Sequence, residues 1–372
     1  MFISGFGELS RLGKPLVIAE VGANHQGDLD RAFKIVSGAS KAGASAIKFQ
    51  TRTIDEVYAP SLMDRVTDNP NWFDPHYGTH RSLLEFDEKQ WSELFSHCRE
   101  EGILGFSTPF DHSSVDRLER VGVPMYKIAS GDAQNTPLIR HVCSTGMPVI
   151  VSTGGCSEED VDRVVETAYL SGHAGKLVLM QCTCEYPGKP DNQNLLVIKS
   201  YLEKYPEEVT IGLSSHNPNW WVNIAAYALG ARVFENHFTL DRTWKGTDQA
   251  FSLDVPAMKE YTTALDETVR AMGWPAKMAD PDEWTYTLER RKSMYASRDI
   301  PEGKAVEQSD MIALSPGGGI SPFQASIIEG KTVSKTLKKG DMITIDKLNS
   351  VPLIDTYKYD ASGTKLLYKW NS

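Results

Sequence analysis

Between Leu16 and Gly273 an apolar run of strand length is followed by an amphipathic stretch of helix length, and the pattern occurs eight times in succession. Strict alternation makes neighbouring strands parallel, because each return of the chain crosses over as a helix. Strands are expected at 16–21, 45–49, 103–106, 125–128, 148–151, 176–180, 211–216 and from Val233. Helices are expected from about Asp28, from Asp87 to Gly102, near 114–121, 137–144 and 194–202, after Ser157, across 221–229, and from Asp254 to Gly273. Eight such units predict an α/β protein built as a closed (β/α)8 TIM barrel. An open doubly wound sheet is the alternative, but no strand runs into a GxGxxG fingerprint. Local signals agree, since Asp87 with Gln90 and Ser157 with Asp160 can form capping boxes, and Phe86 with Trp91 a hydrophobic staple. Leu29, Ala32, Phe33 and Val36 read as the inner face of the first helix, and Met258, Tyr261, Leu265 and Met272 as that of the last.

In a closed barrel the carboxyl ends of all strands share one face. Glu20, Lys48, Thr108, Lys127, Ser130, Ser152, Ser214, His216 and His237 all lie at those ends or within a few residues after them, and no comparable polar set precedes the strands. His216 and His237 end consecutive strands, so they emerge side by side. A lone buried histidine is more often a hydrogen-bonded core residue. Two imidazoles with open positions around them instead suit a divalent metal that keeps sites free for substrate. Either lysine alone could snorkel to solvent. Together with the hydroxyls of Thr108, Ser130, Ser152 and Ser214, they make a multidonor pocket for a small ligand carrying several negative charges. Glu20 is the candidate carboxylate for holding or moving a proton on water.

The formal charge of −10 argues against general nucleic-acid binding. It does not exclude a small anion, because a few lysines in a cleft set the local potential. Met1 to Lys14 lacks the pattern of a signal peptide and no stretch reaches membrane-spanning length, so a cytoplasmic location is expected. The five cysteines, Cys98, Cys143, Cys156, Cys182 and Cys184, have no zinc-type spacing and fit reduced thiols. Cys182 and Cys184 read as packing residues at a strand end. Residues 51–85 form a long connection of a size that usually serves function or holds small local structure.

The barrel domain is expected to span 1–273, with a linker at 274–291, a small domain at 292–352 and a polar tail at 353–372. Within the small domain Ile300, Gly303, Val306 and Met311 recur in type and spacing as Leu337, Gly340, Ile343 and Leu348. Two short copies about a pseudo-dyad would make one small body.

The segments Ile18-Ala-Glu20-Val-Gly-Ala-Asn-His25-Gln-Gly27, Ile47-Lys48-Phe-Gln50-Thr51, Tyr126-Lys127-Ile-Ala-Ser130-Gly-Asp132, Gln181-Cys-Thr183 with Tyr186-Pro187, Gly212-Leu-Ser214-Ser-His216 and Glu235-Asn-His237-Phe-Thr239 resemble the sialic acid (nonulosonic acid) synthases. The small domain resembles the antifreeze-like (SAF) domain of the same enzymes. Tyr77-Gly78 to Phe86 and Thr243-Trp-Lys-Gly-Thr-Asp248 are most similar to the branch that includes the animal-type 9-phosphate synthases. The resemblance implies condensation of phosphoenolpyruvate with an open-chain mannose-type aldehyde. It implies that Lys48, Thr108, Lys127, Ser130, Ser152 and Ser214 hold phosphoenolpyruvate, and that Gln50, Asp132, Tyr186 and Asp248 contact the sugar. It further implies that His216 and His237 bind Mn²⁺, with Mg²⁺ or Co²⁺ as alternatives, and that Glu20 organises water or proton transfer. The family's homodimer sets each antifreeze-like domain over the partner's barrel.

Two positions depart from the family pattern. Cys184 stands where many relatives have an asparagine donor to phosphoenolpyruvate, and Ser315, before Pro316-Gly317, stands where many have the arginine that meets the N-acyl group. Arg242 or Lys245 would be the candidate receivers of a sugar 6-phosphate. A Schiff-base aldolase using Lys127 or Lys48 and a non-catalytic carbohydrate-binding protein are the competing functions.

Overall fold

The computed structural model describes residues 1–349, and the chain divides into two compact units, Met1–Gly273 and a second one from Trp274 onward. The expected tail at 353–372 lies outside the described residues. In the first unit the strands are β1 (Leu16–Glu20), β2 (Ala46–Thr51), β3 (Leu104–Pro109), β4 (Tyr126–Ile128), β5 (Val149–Ser152), β6 (Leu177–Cys182), β7 (Thr210–Ser215) and β8 (Val233–His237). Each pairs in parallel with its neighbours in chain order, and β8 closes on β1 with Val233 opposite Leu16 and His237 opposite Glu20. The helices between them are α1 (Leu29–Lys41), α2 (Glu88–Glu100), α3 (His112–Val121), α4 (Thr136–Ser144), α5 (Glu158–Leu170), α6 (Val197–Lys204), α7 (Trp221–Leu229) and α8 (Val255–Ala271). This is a closed (β/α)8 barrel.

The strands are buried on both faces, which is why they read as nearly unbroken apolar runs. Both capping boxes form: Asp87 accepts from Gln90 N at 2.8 Å while Gln90 returns a bond to Asp87 N, and Ser157 and Asp160 do the same. Phe86 meets the fully buried Trp91 edge-on, with ring centroids 5.3 Å apart.

Several boundaries differ from the sequence reading, for local reasons. The helix expected at 114–121 starts at His112, because Asp111 caps it by accepting from Ser114 N at 2.7 Å. The helix expected from Asn194 starts at Val197, since Asn194 takes a positive φ of 46° in the preceding turn. Strands β2 and β3 run on through Gln50, Thr51, Thr108 and Pro109, because Gln50 pairs with Thr108 and Thr51 with Pro109; ladder pairing rather than apolarity sets their ends. On α1 the buried face centres on Ala32, Ile35, Val36 and Ala39, with Leu29 and Phe33 at its margin. Met272 is exposed rather than inward-facing. The connection at 51–85 holds three short helices, Ile54–Val57, Pro60–Met63 and Tyr77–Ser82.

The second unit has its own core of Met294, Ala296, Ile300, Val306, Ile320, Ile328, Val333, Leu337, Ile343 and Leu348. The internal repeat is visible in its backbone bonds. Ile300 and Leu337 pair with each other through both N–H groups. Ala296 N donates to Asp341 O and Ala296 O accepts from Gly340 N, while in the other copy Val333 N donates to Lys304 O and Val333 O accepts from Gly303 N. Gly303 and Gly340 share the left-handed conformation, with φ of 78° and 89°. Strands β9 (Ser293–Ala296) and β10 (Met311–Leu314) pair antiparallel. The segment expected as a linker carries a short helix at Trp284–Arg290. Ser315 Oγ donates to Arg290 O at 3.1 Å.

Candidate active site

The carboxyl ends of β1, β2, β4 and β8 bring four charged side chains into one buried cluster. Lys48 Nζ lies 2.6 Å from Glu20 Oε2, 3.7 Å from Glu235 Oε1 and 2.9 Å from Thr108 Oγ1. Lys127 Nζ donates to Glu235 Oε1 at 3.2 Å, and Ser214 Oγ donates to the same oxygen at 3.3 Å. All four charged groups are almost wholly buried. Burial opposes the charge on Lys48, but Glu20 and Glu235 more than offset it and hold the ammonium above its ordinary pKa. Burial lowers the Lys127 pKa below the ordinary lysine value, because the attraction of Glu235 is partly cancelled by repulsion from Lys48. Burial would raise the Glu235 carboxyl, yet the two ammonium groups pull it down to about 2.

Beside this cluster the two imidazoles stand with ring centroids 5.4 Å apart. His216 Nδ1 donates to Thr183 O at 2.8 Å, which leaves Nε2 as the lone-pair nitrogen. Burial first, then His237 nearby, lowers the His216 pKa to about 4, so the ring is neutral and able to ligate. His237 Nδ1 is buried with no hydrogen-bond partner among the described residues and lies 3.6 Å from Asp248 Oδ2. The Tyr186 ring covers His216 at 3.9 Å between centroids, while Phe251 lies 5.0 Å from His237. The neutral His216 ring and the His237 ring, with its orphaned buried nitrogen, fit a divalent ion. Among the described residues no third His, Cys, Asp or Glu joins them, so substrate or water would complete the coordination.

The remaining expected residues divide between the two ends of this mouth. Gln50 Nε2 donates to Glu20 Oε1 at 2.8 Å, and a Cβ built on Gly22 would lie 2.7 Å from Asp248 Oδ2 and 3.5 Å from both Gln50 Nε2 and Glu20 Oε1. Glu20, Gln50 and Asp248 therefore converge on Gly22. Ser130 Oγ accepts from Gly154 N at 2.9 Å, and Ser152 Oγ lies 4.0 Å from Met180 Sδ. Asp132 holds Asn135, with burial raising its pKa.

A family model described as the NeuB family matches residues 35–277, which is most of the barrel. The chain belongs to the NeuB family. A second model, described as the SAF domain, matches residues 291–349. N-acetylneuraminate-9-phosphate synthase from Mus musculus is 32% identical over 336 residues, covering 90% of this chain and 92% of the relative. Pseudaminic acid synthase from Campylobacter jejuni subsp. jejuni serotype O:2 is 35% identical over 339 residues, covering 89% and 95%. Among solved structures, the N-acetylneuraminic acid (sialic acid) synthetase from Leptospira borgpetersenii serovar Hardjo-bovis, in complex with citrate, superposes with a TM-score of 0.65 at 28% identity, over 75% of this chain and 94% of that one.

Four residues of this NeuB-family mouth, Glu235, Arg52, Arg81 and Glu85, were not singled out as site residues from the sequence. Glu235 is two positions before His237 on β8, so strand alternation alone puts it on the same inward face. Arg52 Nη2 donates to Gln50 Oε1 at 2.5 Å, and its Nη1 pairs with Glu85 at 3.4 Å. Arg81 donates to Tyr77 Oη at 3.1 Å and sits near Asp248; both it and Glu85 come from the connection, which has no periodicity to read. Of the two candidate phosphate receivers, Arg242 spends Nε and Nη2 on Ala250 O, at 3.1 and 2.6 Å, while Lys245 lies over the Phe73 ring.

Gly22 has a φ of 53° and no room for a side chain. On the expectation that Gln50 and Asp248 contact the sugar and the lysines the anion, Gly22→Ala should displace Asp248 and raise the KM for the sugar about tenfold or more, with a much smaller change in the KM for the anionic substrate. Steady-state kinetics with each substrate varied in turn check this.

Proposed function

We propose that the chain condenses phosphoenolpyruvate with an open-chain N-acylmannosamine or mannose-type sugar to give a nonulosonic acid and inorganic phosphate. The observation that carries this reading is the pairing of two buried lysines, beside the Thr108 and Ser214 hydroxyls, with two adjacent buried histidines at one barrel mouth. The names of the relatives support it: one is an N-acetylneuraminate-9-phosphate synthase and another a pseudaminic acid synthase. Lys48 and Lys127 take the phosphate and carboxylate charges, and Thr108, Ser130, Ser152 and Ser214 supply directional donors. Gln50, Asp132, Tyr186 and Asp248 hold the sugar. His216 and His237 hold a divalent ion, which when bound polarises the sugar aldehyde as a Lewis acid. Carbon 3 of phosphoenolpyruvate bonds to the aldehyde carbon, water adds at carbon 2, and the C–O bond to phosphate breaks. Glu20, held by Lys48 and Gln50, accepts the proton from that water.

The acceptor's phosphorylation is the finer part of the proposal. Relatives named as 9-phosphate synthases and as pseudaminic acid synthase align over similar lengths. A phosphate-release assay with N-acetylmannosamine, mannose, their 6-phosphates and a diacetamido hexose tests the reading. Release with at least one acceptor, abolished by EDTA, is expected; release with none of them overturns it.

One observation favours a second reading. The lowered pKa of Lys127 suits an amine that forms a Schiff base. That enzyme would be trapped by borohydride with pyruvate and would ignore chelators.

A further inference from the structure

We propose that Cys182 and Cys184 are a reversible dithiol switch at the phosphate end of the mouth, oxidised to a disulfide by a hydroperoxide. The sequence reading took both as packing thiols, and for Cys184 the structure corrects it: Cys182 is buried at the end of β6, but Cys184 is exposed. Alternate residues of an extended chain face the same way, and here both sulfurs turn to Gly154. A Cβ built on Gly154 would lie 2.5 Å from Cys184 Sγ and 3.1 Å from Cys182 Sγ, with Ser130 Oγ at 2.9 Å. Only a glycine leaves that space, and both sulfurs lie over the same point, within about 5.6 Å of each other. The Cα atoms of an extended i, i+2 pair are about 6.6 Å apart, near the upper end of the range that a disulfide bridges. Such a bond is strained, and strained, accessible disulfides are the easily reduced ones.

The other cysteines are unlike this pair. Burial pushes the Cys98 and Cys143 thiols up to about 12 and about 11. Cys184 instead is lowered to about 6, first by the Cys182 thiol and then by Ser130 and Lys127, while Cys182 is raised. The result is one thiolate nucleophile beside one protonated thiol. A cavity of about 630 Å³ between α5 and α6, lined by Cys156, Gln181, Cys182, Cys184 and Tyr201 among others, gives a small oxidant a route to them.

The Cys184 thiolate attacks one oxygen of the hydroperoxide. The O–O bond breaks, the leaving oxygen takes a proton as water or alcohol, and Cys184 becomes a sulfenic acid. The Cys182 sulfur then attacks the Cys184 sulfur, the S–O bond breaks, and water departs with the Cys182 proton. The two electrons lost by the thiol pair have reduced the peroxide. Closing this ring shifts Thr183, which lies between the cysteines and whose carbonyl holds His216 Nδ1. The effect on catalysis rests on the proposed function; the thiol chemistry does not.

The test treats the reduced full-length chain with a small excess of hydrogen peroxide, blocks free thiols and maps the peptides. The expected product is a disulfide joining Cys182 to Cys184, reversed by dithiothreitol and formed equally in Cys156→Ser. In Cys182→Ser, Cys184 should stop at a sulfenic acid that dimedone traps. Oxidation should lower phosphate release at least tenfold and dithiothreitol should restore it, while the rate of Cys184→Ser, whatever its level, should not respond to peroxide. Cys182 and Cys184 remaining free while other cysteines react would overturn the proposal, as would a disulfide that leaves the rate unchanged. A reduced chain that releases no phosphate with any sugar would count against the proposed reaction, and the peptide map would still decide the disulfide.

Discussion

Removing one imidazole, by His237→Ala, lowers phosphate release roughly a thousandfold, the several kcal/mol that a Lewis acid contributes to a polarised carbonyl. Chelation of the unaltered chain gives the same loss, and Mn²⁺ restores it only where both histidines are present. The basis is the pair of buried rings 5.4 Å apart, with His216 fixed by Thr183 O and His237 Nδ1 left without a hydrogen-bond partner among the described residues. Titration with Mn²⁺ followed by electron paramagnetic resonance separates a binding defect from a folding defect. One bound ion is expected in the unaltered chain and none in His216→Ala or His237→Ala at the same concentration. Full activity of either variant after exhaustive chelation would remove the metal from the account.

The second large effect concerns Glu235. Among the described residues it is the only carboxylate within 4 Å of Lys127 Nζ, and it also faces Lys48, so Glu235→Gln leaves buried positive charge uncompensated. The cost of breaking such a pair is about 3–5 kcal/mol, read as a lower midpoint in thermal or denaturant unfolding. The pH dependence has a definite sign. Because the folded-state pKa of Glu235 is depressed to about 2, its contribution to stability is complete above the ordinary carboxylate pKa and is lost as pH falls toward that value. The unfolding midpoint of Glu235→Gln should therefore approach that of the unaltered chain in acid and separate from it near neutrality. Lys127, already lowered, also loses the group that raises its pKa, so its charge disappears at a lower pH. Affinity for inorganic phosphate, measured by calorimetry, should then fall at a lower pH in the variant than in the unaltered chain.

Much of this site was legible in the sequence because a parallel barrel converts order along the chain into position on one face. Glu20, Lys48, Lys127, Ser214, His216 and His237 needed only the strand ends to be found. Glu235 had the same signal, a period of two from His237, but without coordinates its partners were not visible: it meets Lys127 across the barrel rather than along the chain. Arg52, Arg81 and Glu85 belong to a connection whose fold is set by contacts such as the edge-on Tyr58–Tyr77 pair at 5.1 Å, not by any periodic pattern. Boundaries slipped where a cap or a turn overrode apolarity, as at Asp111 and Asn194. The Cys182–Cys184 arrangement depends on Gly154 from another strand end, and residues that meet only through the closed sheet leave no local trace.

The central claim is that two ammonium groups and two imidazoles serve one reaction at one mouth. A crystal structure of the chain soaked with phosphoenolpyruvate and Mn²⁺, with anomalous scattering to locate the ion, tests it most directly. The account predicts the phosphate and carboxylate of phosphoenolpyruvate against Lys48 and Lys127, and one anomalous peak between His216 and His237. Phosphoenolpyruvate bound away from both lysines, or an ion held by other ligands, would contradict it.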